Sequence, residues 1–182
     1  AKDVADAMGY MALAGFDTEE ILASISGMLS LASASGEDLA TVTDILTDSM
    51  TAFGDGAGDA SRYADVLATT QAKSNTTVGL LGEAFKYAAP LAGAYGYELE
   101  DVAAALGMMA NAGVKGSMSG TALSSIITRL GTNTNYARDA IEELGVEFYN
   151  SDGTARNLSD VLKELCEATA GMDTHQKAAL AS

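Results

Sequence analysis

The chain has 182 residues, 25 Asp and Glu against 10 Lys and Arg, and a net charge of −15. So acidic a chain, with its few cations scattered singly, has no basic stripe for binding nucleic acid and repels DNA and anionic membranes. Its apolar content of 48%, with no Trp, four Phe and seven Tyr, suits an aliphatic core of one helical domain or two small ones, and a single Cys166 excludes an internal disulfide.

In chain order the pattern is one of short helices punctuated by glycine. Val4, Met8, Met11 and Ala12 share a helical face that ends at Gly15. Asp17-Thr18-Glu19-Glu20 reads as an N-cap with acids in the first turn, followed by Ile21, Leu22 and Ile25. Ser26-Gly27 is expected to break that helix, with Met28, Leu29 and Leu31 restarting it until Gly36. From Glu37-Asp38 the next helix places Leu39, Val42, Ile45, Leu46, Met50 and Phe53 at helical spacing, and "GDGAG" at 54–58 turns the chain. Ala60, Tyr63, Ala64 and Leu67 mark a helix that ends at the linker "KSNTT" (73–77), whose Thr77 can cap a helix from Val78.

That helix carries Leu81, Phe85, Ala88 and Leu91, is expected to kink at Pro90, and closes at Gly96. "YELEDV" (97–102) opens another, with Leu99, Val102, Leu106 and Met109 inward, closed by Gly113. Leu123, Ile126, Ile127 and Leu130 define the next, and Ala137, Ile141 and Leu144 a further one. At 145–157, "GVEFYNSDGTARN", Val146 to Tyr149 is short and β-prone and Asp152-Gly153 suits a two-residue turn, which predicts a small β-hairpin near 146–156. Leu158, Val161, Leu162 and Leu165 resume helix, and a last weak helix runs from Asp173. The expected fold is mainly α: a compact bundle of short helices with that one hairpin, residues 1–182 forming a single domain with a sub-boundary near 73–77.

"NAGVKGSMSGTAL" (111–123) has the look of a phosphate loop, but Lys115 stands before Gly116, and no lysine precedes Ser117 or Thr121. A phosphate-binding lysine has to stand directly before the hydroxyl that holds the metal. The plainer reading makes Gly113 a helix end and Ser117 an N-cap. Gly116, Gly120 and Ser124, four apart, then become one small-residue face for a tight helix crossing. Cys166, beside Leu162 and Leu165, reads as a buried inert thiol, and His175 has no third member with which to make a triad or a metal site. The acidic pairs Glu19-Glu20, Glu37-Asp38, Glu100-Asp101 and Glu142-Glu143 sit at helix starts or on solvent faces, where the helix dipole and solubility account for them. No catalytic, cofactor-binding or metal-binding residue is assigned. The methionines 8, 11, 28, 50, 108, 109 and 118 are expected mostly to fill the core.

The blocks "DVADAMGYMALAGFDTEEIL", "LASASGEDLATVTDILTDSMTAFG", "LGEAFKYAAPLAGAYGYELEDVAAALGMMANAGVKGSMSGTALSSIITRL" and "LGVEFYNSDGTARNLSDVLKEL" resemble, in that order, the core region of phage tail tape measure proteins. They cover almost the whole chain. The chain departs from the family at Ser26, where relatives often carry a proline.

The resemblance implies a long helical protein inside the tail tube that helps set tail length and tube assembly and is ejected ahead of the DNA. It implies the tail tube protein, tail assembly chaperones, tail-tip proteins and copies of itself as partners, with no catalytic residues in this region. Ala1 opens without Met inside a helical pattern, so a piece of a longer protein is expected. Two further functions are weighed: a membrane-active segment, on the strength of the small-residue face at 116–124 and the Ala-rich 102–114, and a hydrolase using the acidic pairs. Against the former, the longest charge-free run, 21–36, is rich in Ser and Gly and is not the run of about 20 apolar residues that a spanning helix requires.

Overall fold

A computed structural model describes residues 2–131 and 144–176 of the chain. The helices are α1 (Lys2–Leu13), α2 (Thr18–Ser35), α3 (Leu39–Phe53), α4 (Ala60–Lys73), α5 (Val78–Ala94), α6 (Leu99–Asn111), α7 (Gly116–Gly131) and α8 (Leu158–Thr169), with a 3₁₀ turn at Ala57–Asp59. The expected helix through Ala137 and Ile141, the pair Glu142-Glu143 and the chain from 177 onward lie outside the described residues.

The connectors repeat one device. After α1, α3, α5 and α6 a glycine (Gly15, Gly54, Gly96, Gly113) takes a left-handed φ of 94°, 81°, 78° and 92°. There the two hydrogen bonds of a Schellman end form: Gly113 N–H donates to Ala110 at 3.0 Å, and Val114 N–H to Met109 at 2.9 Å. Side chains open four of the helices, though not α4 or α6, whose N-cap residues Asp59 and Glu98 make no such bond. Asp17 and Glu20 form a reciprocal capping box on α2, at 2.8 and 2.9 Å. Asp38 caps α3 at Thr41, Thr77 caps α5 at Leu80, and Asn157 caps α8 at Asp160. With only two residues between the left-handed glycine and the first helical residue in Gly15-Phe16-Asp17, Gly96-Tyr97-Glu98 and Gly113-Val114-Lys115, successive helices are forced to fold back on each other.

The most extensive contacts then join helices two apart: α5 with α7, α2 with α4, α3 with α5, α1 with α3, and α4 with α6. The result is two rows. The odd helices α1, α3, α5 and α7 make one and the even helices α2, α4, α6 and α8 the other, with one continuous core between them. Met11, Met28, Leu31, Leu46, Met50, Leu67, Leu81, Leu106 and Leu123 fill that core. Phe53 bridges Tyr63 and Phe85 edge-on, with ring centroids 6.3 and 6.2 Å away. Of the methionines, Met11, Met28 and Met50 are buried, Met8 and Met109 half-buried, and Met108 and Met118 exposed.

Three expectations are corrected. Ser26-Gly27 does not break α2, which runs unbroken over 18 residues; Gly27 is buried against α4, and that contact outweighs its poor helix propensity. No β-strand or hairpin forms among the described residues near 146–156. Only an isolated antiparallel bridge joins Tyr149 and Ala155. Asp152 folds onto Thr154, accepting from its N–H at 2.9 Å and its hydroxyl at 2.6 Å, and Asn157 begins α8 before a ladder can extend. Cys166 is exposed rather than buried, because α8 lies at the end of its row and inserts only Leu158 and Val161 deeply.

Candidate functional site

Five glycines sit inside helices at contacts with the helix two along. A Cβ on Gly27 of α2 would lie 3.1 Å from Ala60 O and Ser61 Cα at the start of α4. Gly82 and Gly93 of α5 face α3: a Cβ would meet Ile45 Cγ1 at 2.5 Å and Ala52 O at 2.8 Å. Gly107 of α6 faces α4, 3.2 Å from Ser74 Oγ. At Gly120 of α7 the approach is tightest: a Cβ would sit 2.8 Å from the carbonyl carbon and Cα of Ala84 on α5, and closer still to its carbonyl oxygen. Only a residue without a side chain admits backbones this close.

Of the small-residue face, Gly120 therefore touches α5 directly. Gly116 is the first residue of α7, at φ +59°, where a Cβ would meet Glu83 Oε2 at 2.8 Å. Ser124, a turn beyond Gly120, is half-buried. Ser117 is not the cap expected of it; it is the second residue of the helix, and its carbonyl accepts from Thr121 Oγ1 at 2.8 Å. Ser119, buried, turns its hydroxyl back to Gly116 O at 2.8 Å. Val114 and Lys115 are half-buried between a Schellman end and a helix start.

The acidic pairs hold joints. Glu20 closes the α2 capping box and Asp38 caps α3; Asp38 is held below its ordinary pKa by the Thr41 N–H and hydroxyl. Glu37 accepts from Gly79 N at 3.3 Å, joining the α2–α3 connector to α5. Glu100 takes a bidentate pair from Arg62, Nε at 2.7 Å and Nη2 at 2.6 Å, while Glu98 lies 3.0 Å and Asp55 3.4 Å from the same guanidinium. That pairing depresses the Glu100 pKa and raises that of Arg62. Asp55 also accepts from the Tyr63 hydroxyl at 2.8 Å; burial, reinforced by this carboxylate, drives the phenol pKa up. Asp101, buried, accepts from the Asn157 side-chain amide and so ties α6 to the cap of α8. Burial raises its pKa despite that bond, with Glu98, Glu100 and Asp160 adding repulsion. Neither Arg62 as a hub for Glu98 and Glu100 nor the Asp101–Asn157 tie is legible in sequence, because those partners lie 36 to 56 residues away.

His175 is exposed. Among the described residues no group of three or more His, Cys, Asp and Glu is placed to hold a metal ion, and no helix is long and apolar enough to cross a membrane. Between α4 and α6 runs a groove of about 450 Å³ floored by Val66, Thr70, Ala103 and Gly107.

These joints define an all-helical structural domain, two rows of short helices locked by glycine crossings and charged ties. The chain belongs to the phage-related minor tail protein family, whose model matches residues 1–182. It is similar to the tape measure protein of Pneumococcus phage Dp-1, with 38% identity over 177 residues, 97% of this chain and 15% of that protein. It is also similar to the probable tape measure protein of Escherichia phage P2, with 33% identity over 165 residues, 91% of this chain and 20% of that protein. The chain thus spans a fifth or less of the length of these relatives. No solved structure matches it. It is a structural protein of a phage tail, of the tape-measure type.

Proposed function

We propose that this domain is a compact element of a tape measure protein, which helps set tail length and tube assembly and leaves the tail ahead of the DNA. The observation that carries this is the family match along all 182 residues, together with two tape-measure relatives. Its partners are the tail tube protein, the tail assembly chaperones and the tail-tip proteins, and it acts by assembly rather than catalysis. The geometry supports a folded element attached to the ruler. The two-row stack returns on itself at each connector, whereas a measuring rod advances about 1.5 Å per residue. The net charge of −15 serves to keep the domain from adhering to DNA that follows through the same tube.

The test is electron microscopy of tails made with residues 1–182 deleted in frame. A stretch acting as extended helix shortens the tail by about 270 Å at the helical rise. The folded element instead gives failed assembly or a definite shortening far below that. Normal, infectious tails of unchanged length would overturn the proposal, as would tight binding of duplex DNA at physiological salt for the electrostatic part.

A further inference from the structure

α3 and α5 touch at two glycines, Gly82 against Ile45 and Gly93 against Ala52, and Pro90 of α5 lies between them. Beside Pro90 the two helices leave a cavity of about 200 Å³. The buried Ile45, Ser49 and Phe85 make its floor, and the exposed Asp48, Lys86 and Pro90 stand at its mouth. Drug-sized ligands occupy about 300–1,000 Å³, so this cavity has room for one group of side-chain size.

Ser49 is the exception in the core. Among the described residues, the buried Ser24, Thr43, Thr47 and Ser119 all turn their hydroxyls onto a backbone carbonyl, and the buried Asp101 is bonded to Asn157. Ser49, 2% exposed, makes no hydrogen bond. No fully enclosed polar side-chain atom among these residues lacks a partner, so the Ser49 hydroxyl reaches open space, and the cavity is the space it lines. A hydroxyl held away from bulk water without a partner is a group that a ligand can satisfy.

Charge restricts the ligand. At the mouth the Lys86 ammonium lies 3.7 Å from Asp44 Oδ2 and 4.0 Å from Asp48 Oδ2, too far to hydrogen-bond to either. Two carboxylates thus share one cation. Burial, and then repulsion from Asp44, push the Asp48 carboxyl above its ordinary pKa, and Lys86 offsets them only in part. On a chain of charge −15 the deficit is one of positive charge, which disfavours an anion. A guanidinium suits these acceptors better than an ammonium, because its flat fork can hold a carboxylate with two N–H groups and give a third to a hydroxyl.

We propose that the α3–α5 cavity is a binding site for a guanidinium group, which pairs with Asp48 at the mouth and donates to Ser49 Oγ at the floor. The inference is independent of the tail assignment.

The test is a titration of the whole chain with N-propylguanidinium at constant ionic strength, followed by amide NMR shifts. Saturable shifts confined to the α3–α5 cavity are expected, with a Kd on the order of 1–10 mM for so small a fragment. N-propylurea, neutral and of the same shape, and butyrate, of opposite charge, should not bind. Ser49→Ala should weaken propylguanidinium about fivefold and Asp48→Asn about tenfold. Ser49→Ala should not lower the thermal melt of the unliganded protein, since no hydrogen bond is lost, which separates loss of the site from loss of the fold. N-acetylargininamide distinguishes the sources. If it binds as tightly as propylguanidinium, the site takes an arginine side chain of a partner protein; if it is excluded while propylguanidinium binds, the site takes a free small guanidine. Shifts that never saturate or that spread over the acidic surface, equal binding of propylurea, or an affinity unchanged in both variants would each overturn the proposal.

Discussion

Replacing Gly120 by alanine tests the closest contact in the fold. In an exposed helix alanine is favoured over glycine by about 0.5–1 kcal/mol. At Gly120 the added methyl would lie 2.8 Å from the Ala84 carbonyl carbon, whereas carbon atoms rest at about 3.5–4.0 Å. The obstacle is backbone, which cannot rotate aside, so α7 must withdraw from α5 by about 1 Å. Overfilling of this kind costs about 1–3 kcal/mol, and a backbone clash belongs at the upper end. With the helix preference subtracted, a loss of about 2 kcal/mol is expected. For a domain of this size that corresponds to a fall in Tm of about 4–8 °C, and in urea to a lower midpoint at unchanged slope. Gly9→Ala supplies the opposite sign: nothing lies within 4 Å of its Cβ, so the protein should gain about 0.5–1 kcal/mol. If Gly120→Ala were as stable as wild type, the α5–α7 crossing would not be as close as argued.

Lys115→Ala should change stability by less than about 0.5 kcal/mol, because the loop around it is held by backbone hydrogen bonds; a thermal melt checks this. Asp17→Ala removes the α2 capping box and should cost about 1 kcal/mol, seen as a lower urea midpoint. Asp101 has a raised pKa in the fold, so its contribution to stability falls as pH rises through that pKa and its charge becomes buried. Asp101→Asn, which keeps an acceptor for Asn157, should therefore gain more at pH 7 than at pH 4 in paired urea titrations. The Glu100 pKa is lowered by Arg62, so its contribution is present at neutral pH and lost as the solution is acidified through the lowered value. Arg62→Met should abolish that acid-side loss.

Much of the helix order was legible because the signals are local. A glycine that closes a stripe of helical spacing marks a turn between helices, and α1, α3, α5 and α6 end as their glycines imply. Gly27 was misread because the same residue serves two purposes. At a helix end it supplies a positive φ, and within a helix it admits a neighbouring backbone; only the position of α4 separates these. The expected hairpin rested on composition at 146–149, but Asp152 gave its carboxylate to Thr154 and Asn157 was committed to α8. Cys166 follows Leu165 on a stripe that looks apolar, yet whether a stripe is covered depends on where its helix stands in the row. The pairing of helices two apart has no local signature at all, since it arises when each connector reverses the chain.

That pairing has a mechanical consequence. In the two-row stack the strongest contacts reach no further than the second helix along, so a pull on one end loads one hairpin at a time rather than shearing the whole core at once. Force applied at α1 first peels the α1–α2 pair from α3 and α4, and the remaining stack keeps its own contacts until its turn comes. Resistance to pulling is then set by the strength of a single layer, not by the stability of the whole. The α5–α7 crossing at Gly120, the tightest of the joints, is where such stepwise unravelling should pause longest.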